Sequence, residues 1–164
     1  MYLTIYLTLI SCLLLTLLII LSAIFIPFGF FAAYFPKDTR EILRRKSRNQ
    51  SLFRRVLGVI LIILLIVSYI AVTIYGGIDG LRHQYSLAEF FERFMIIGYG
   101  TKIYEIAIID YLLTTKLSLF QRLLPETKDC EGWRHFGYNR DRQIRQMVFI
   151  PIGCLISALV FTII

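Results

Sequence analysis

The sequence predicts an all-α integral membrane protein, a four-helix bundle with both termini extracytoplasmic, and three observations carry that expectation. Hydrophobic residues make up 57% of the 164, against roughly 45–50% in soluble domains, and the mean hydropathy is +0.70. The 18 Lys and Arg and 11 Asp and Glu crowd into a few segments instead of recurring along every element. Between them lie uncharged runs longer than the roughly 20 residues that cross a hydrocarbon core of about 30 Å. The whole chain, 1–164, reads as a single transmembrane domain of a multi-pass protein in the cell membrane. A net charge of +7 raises the question of nucleic acid, but the basic residues flank the apolar runs and form no separate stripe interleaved with aromatics, so the positive-inside rule explains them.

The first span is expected at about 4–26. Met1 to Phe35 holds no charged side chain; this start lacks the positive n-region and short h-region of a signal peptide, so it reads as a retained span. Pro27 and Gly29 are the natural break, followed by Phe30, Phe31, Tyr34 and Phe35 as an interfacial aromatic belt. The loop 36–53 contains a short basic helix. There Asp38 and Glu41 have capping-box spacing and Ser51 can cap the helix starting at Leu52. The second span, 54–75, is expected to close on Gly76 and Gly77, because glycine accepts the left-handed conformation of a helix C-terminus. "SLAE" at 86–89 is a further capping box, predicting a third helix from Leu87 to about Phe120 that carries a span at 91–116, with Pro125 ending what remains. A polar loop, 117–146, leads to a fourth span at 147–164, in which Pro151 is tolerable if a neighbouring helix satisfies the carbonyl it frees.

Orientation follows from the basic residues: residues 36–55 hold eight, 76–93 two and 116–145 seven, with Lys102 completing the 18. The first and third loops are therefore expected on the cytoplasmic side.

The third span is unusual in carrying charge. At 100° per residue Tyr99, Lys102, Glu105 and Asp110 share one arc of about 140°, together with Gly98, Glu92 and Lys116, while the opposite side is mainly Ile, Leu, Ala and Tyr. Each ionised group at mid-span costs roughly 2.5–3.5 kcal/mol on insertion scales, so this face should look into protein. Lys102 and Glu105, at i, i+3, can pair; Gly98 allows close approach of a neighbouring helix. Asp110 requires protonation, a lysine or water. "IIGYGT" shares Gly-Tyr-Gly with potassium-filter loops, but Ile96 and Ile97 replace the Thr and Val, and Lys102 would place positive charge beside a cation path.

In the last loop Trp133, Arg134, His135, Arg140, Arg142 and Arg145 are candidate contacts for a headgroup or phosphate, although arginines beside a span are also what topology demands. Cys12, Cys130 and Cys154 form no C-x-x-C pair, and His83 and His135 form no ligand motif, so neither a metal nor a cofactor is expected and no residue is assigned a catalytic role. The first reading of function is a non-enzymatic accessory or scaffold subunit that docks through the polar face of its third helix, onto a larger membrane-protein partner or a second copy. The second is a small ion- or proton-coupled transporter using Lys102, Glu105 and Asp110; the third, weaker, is a lipid-headgroup-modifying enzyme. The expected surroundings are the lipid bilayer, with anionic headgroups at the cytoplasmic face.

Overall fold

A computed structural model describes residues 1–25, 32 and 35–164, and every regular element among them is helical. In chain order these are α1 (Tyr2–Phe25), α2 (Arg40–Arg48), α3 (Leu52–Arg82), α4 (Leu87–Tyr104), a π-helical segment (Glu105–Lys116), α5 (Leu119–Leu123) and α6 (Arg140–Ile163), with single 3₁₀ turns at Lys37–Thr39, Pro125–Thr127 and Glu131–Arg134. Three of them, α1, α3 and α6, are long and apolar enough to cross a membrane. Only 17% of the most apolar window of α3 is buried within the protein, which leaves a large apolar surface of the kind water does not tolerate on a monomer. The expected break at Pro27 and Gly29, and the aromatic residues Phe30, Phe31 and Tyr34, lie outside the described residues.

The chain divides into two compact units. The first comprises Met1–Leu15, Val67–Glu105 and Asp141–Ile164. Its helices approach closely at glycines. A Cβ on Gly100 would sit 2.6 Å from Thr8 Cγ2 and one on Gly76 3.1 Å from Leu7 Cδ1, while Cβ atoms on Gly77 and Gly80 would strike the rings of Phe161 and Phe90. Phe90, Phe94 and Phe161 pack together, with Phe90 stacked on Phe94 at 6.3 Å and on Phe161 at 6.0 Å between centroids.

These contacts correct the expected end of the second helix. Gly76 and Gly77 do not terminate it; α3 runs on to Arg82, and its glycines make room for neighbouring side chains. The helix ends instead on Gln84, which takes the left-handed conformation (φ 53°). Tyr85 N–H then donates to Gly80 O at 3.0 Å and Gln84 N–H to Leu81 O at 3.1 Å, the paired bonds of a Schellman ending. The turn is pinned by Arg93, which is 3% exposed. Its Nη1 donates to Gly76 O (2.7 Å) and Asp79 Oδ2 (2.8 Å), its Nη2 donates to Tyr85 Oη (2.7 Å), and the guanidinium lies over the Tyr85 ring at 4.4 Å. Arg93 is one of the two basic residues of 76–93, and its bonds make it part of the turn's interior. At the start of α4 the capping box forms as spaced in sequence: Ser86 Oγ accepts from Glu89 N–H, and Ser86 N–H donates to the Glu89 carboxylate at 2.7 Å. That bond, followed by the one from the Ser86 hydroxyl, holds the Glu89 carboxyl below its usual range.

The second unit comprises Thr16–Ile66 and Ile106–Arg140. Trp133 stacks on Phe120 (5.8 Å, 11° between planes) and meets Phe35 edge-on (5.7 Å, 64°), and its Nε1–H donates to Thr127 O and Oγ1, both at 3.1 Å. Phe35 is thus core, not an interfacial belt. The Asp38 to Glu41 capping box does not form, because Asp38 Oδ2 accepts from Gly132 N–H at 2.8 Å and thereby ties the start of α2 to the segment holding Trp133. Ser51 does cap α3, accepting from Arg54 N–H at 3.4 Å.

The third helix begins where expected but changes winding. After Tyr104 the bonds run i→i+5; Leu117 N–H donates to Leu112 O at 2.8 Å, and the Thr114 and Thr115 hydroxyls donate five residues back to Ile109 O (2.7 Å) and Asp110 O (2.8 Å). The segment ends at Ser118 in the left-handed conformation (φ 53°). A wheel at 100° per residue therefore stops applying beyond Tyr104. The last helix starts at Arg140, not 147, and contains Pro151.

Replacing Gly80 by Leu is expected to lower thermal stability by about 1–3 kcal/mol, since the Phe90 ring is locked in a stack and cannot yield. Gly153, with open space where a Cβ would go, gains roughly 0.5–1 kcal/mol as Ala from helix propensity. Paired melting curves in one detergent check both; equal shifts would mean that close packing at Gly80 is not what sets its effect.

Candidate functional site

In the first unit, the polar residues of α4 meet α6. Lys102, 4% exposed, donates from Nζ to Glu105 Oε2 at 2.7 Å and to Gln146 Oε1. Glu105 Oε1 accepts from Gln143 Nε2 at 3.2 Å. The i, i+3 ion pair anticipated from the sequence is therefore made, and two glutamines of the last helix complete it. That matters because a buried pair recovers its desolvation cost only when further hydrogen bonds satisfy both ions. Gln143 and Gln146 fall inside the loop 117–146 that the sequence predicts, whereas the structure places both on α6. Their i, i+3 spacing is the signal in the sequence: two amides on one helical face.

Tyr99 answers a different need. Its hydroxyl donates to Met147 O at 3.0 Å, and Met147 is the residue whose carbonyl would ordinarily accept from position 151. Pro151 has no N–H to give. The tyrosine supplies the bond that the proline removes, which is the service from a neighbouring helix that the sequence required. Gly98, one residue earlier, lets α6 come in: a Cβ there would lie 3.0 Å from Ile150 Cγ2. Gly98, Tyr99 and Gly100 lie within the unbroken α4, so their carbonyls are committed to helical bonds.

Beside this cluster is an open cleft of about 360 Å³ lined by Leu15, Tyr69, Gly98, Thr101, Lys102, Glu105, Gln146, Phe149 and Ile150. Its walls are apolar and its few polar groups converge, the usual composition of a ligand or partner site. Thr101 donates to Ile97 O at 2.7 Å.

Asp110 belongs to the second unit, where it is 5% exposed. Asn139 Nδ2 donates to Asp110 Oδ2 at 2.8 Å. An amide donor is a fourth solution beside protonation, a lysine or water, and it comes from a residue of the predicted loop 117–146. Near the same segment Lys116 Nζ lies over the Tyr111 ring at 5.5 Å, and Tyr111 meets Phe136 edge-on.

Of the headgroup candidates, Trp133 is fully buried and has its surface engaged in packing, so it offers none to a ligand. Arg134, His135, Arg140 and Arg145 are exposed and Arg142 is half-buried. The Cys130 thiol is pushed up by burial and then by the charges of Asp38 and Asp129, the reverse of what activates a nucleophile. No group of three or more His, Cys, Asp or Glu able to hold a metal occurs among the described residues. Compared with protein-family models, curated proteins and solved structures, the chain matches none of them.

Two variants test this geometry. Tyr99→Phe is expected to cost about 1–3 kcal/mol, the price of an unsatisfied buried carbonyl, and Pro151→Ala in the same chain should recover most of it by restoring the helical N–H. If the proline replacement recovers nothing, the Tyr99 bond is not what compensates Pro151. Lys102→Met alone should cost about 3–5 kcal/mol by stranding Glu105, whereas Lys102→Met with Glu105→Leu should cost far less. Unfolding measured for the four members of that cycle decides it, and equal losses in single and double variants would refute a coupled pair.

Proposed function

We propose that this chain is a non-enzymatic accessory or scaffold subunit of a membrane assembly, crossing the bilayer four times with both termini extracytoplasmic. The third crossing would be α4 with the π-helical segment. Support for that count comes from the polar groups of this stretch: Lys102, Glu105 and Asp110 each have a hydrogen-bonding partner within their own unit, which lowers the cost of placing them in lipid. The observation that carries the functional reading is the hydrogen-bonded cluster in which Glu105 and Gln146 accept from Lys102 and Glu105 accepts from Gln143. Such a network fixes the register of α4 against α6 and presents the adjoining cleft, with the accessible edges of Glu105 and Gln146, as a shaped surface for a partner helix.

A second reading is a small ion- or proton-coupled transporter. It draws on the placement of Glu105 at an open cleft beside a buried lysine, where ionisable groups in membrane helices commonly mark a path.

Native mass spectrometry after mild extraction, on the wild type and on Glu105→Gln, separates the two. The accessory reading expects a distinct partner on the wild type and its loss from the variant. A wild type that runs alone, or as a homo-oligomer the variant preserves, overturns it, and proton or ion flux in liposomes sensitive to Glu105→Gln would then favour the transporter.

A further inference from the structure

The first loop carries a second cavity, of about 510 Å³, within the second unit. Its lining includes Arg45, Lys46, Gln50, Ser51, Arg54 and Glu126, three cations against one carboxylate. Each cation has at least one partner in the protein, and Arg54 also lies over the Phe25 ring at 5.9 Å. Arg45 Nε donates to Glu41 Oε1 at 3.1 Å, Lys46 Nζ to the Glu126 carboxylate at 2.9 Å, and Arg54 Nη2 to Ile24 O at 3.0 Å. A guanidinium has five N–H donors, so these bonds leave each arginine with further donors to offer a ligand. Arg54 is also close enough for its charge to act on Glu126.

Two further features point the same way. Ser51 stands at the start of α3, a helix of 31 residues whose first N–H groups lack partners within the helix and whose dipole favours an anion. Gln50, the residue before, has both amide heteroatoms buried with no hydrogen-bond partner among the described residues. A buried amide satisfied at neither end is rare and calls for a bound group or an ion. An oxyanion carrying a hydroxyl meets both of its needs, accepting from the amide nitrogen and donating to the amide oxygen.

We propose that this cavity is a binding site for a phosphate monoester, held by Arg45, Lys46, Arg54 and the Gln50 amide at the N-terminus of α3. The site differs from simple adsorption of a basic loop to an anionic surface, which depends on total charge and falls off over a Debye length. Glu126 opposes the ligand and is the group whose removal should strengthen it. The inference does not depend on the accessory-subunit reading, since it uses none of the residues of the α4 and α6 cluster.

The test uses the full chain in nanodiscs of phosphatidylcholine containing a minor fraction of phosphatidic acid, with retained lipid counted by native mass spectrometry. The wild type should hold one phosphatidic acid against excess phosphatidylcholine. Gln50→Leu, which leaves net charge unchanged, should reduce retention about tenfold through its lost hydrogen bonds; Arg44→Ala, which removes an exposed charge of α2 outside the cavity, should change it less than twofold. Glu126→Gln should raise it, and supplies the answer if Gln50→Leu does not fold. A second arm titrates inorganic phosphate into protein in pure phosphatidylcholine discs and follows melting temperature. Phosphatidic acid retention identifies a lipid headgroup as the source; stabilisation by phosphate that Gln50→Leu removes, without lipid retention, identifies a soluble phosphate compound. Binding that tracks net charge, so that Arg44→Ala weakens it and Gln50→Leu does not, overturns the proposal, as does the absence of binding in both arms.

Discussion

A polar group placed on an apolar helix has no water to turn to, and the interior of this protein is arranged around that constraint. Desolvating an unpaired amide or hydroxyl costs several kcal/mol, and a bare charge far more. The chain meets the cost with partners drawn from neighbouring elements. Lys102 and Glu105 take each other and two glutamines; Asp110 takes Asn139; Arg93 spreads its guanidinium over a carbonyl, a carboxylate and a phenol. The most economical case is Met147, whose carbonyl loses its helical donor to Pro151 and receives one from Tyr99. Each arrangement requires two elements to hold a fixed register, so polar satisfaction also specifies how helices align.

Close approach is what makes those bonds reachable. Glycines at 76, 77, 80, 98 and 100 stand where side chains from Leu7, Phe161, Phe90, Ile150 and Thr8 press against helix backbones. Small residues at helix contacts serve membrane proteins because packing, not water exclusion, drives helices together in lipid. The same glycines look like helix terminators when read along one strand of sequence. Only the identity of the atoms opposite shows that they are contact residues.

The π-helical winding of Glu105–Lys116 adds a feature that hydropathy does not encode. Such winding is rare and concentrates at functional sites, and here it coincides with the stretch carrying Asp110 and two threonines whose hydroxyls bond back to the backbone. The three helices α1, α3 and α6 are long and apolar enough to cross a membrane.

Local rules were legible in the sequence. The all-helical class, the long apolar helices, the capping box at Ser86 and Glu89, the cap at Ser51 and the Lys102–Glu105 pair all depend on residues within four positions of one another, and the structure forms each of them. What tertiary structure decided involves residues far apart. Asp38 forgoes its helix for Gly132; α3 passes through Gly76 and Gly77 because Leu7 and Phe161 fill the space; Trp133 turns inward onto Phe120 and Phe35. A capping carboxylate, a glycine and a tryptophan each have two good solutions of similar energy, one local and one distant. Propensity alone cannot choose between them, because the distant solution depends on a partner whose position is set only once the chain has folded.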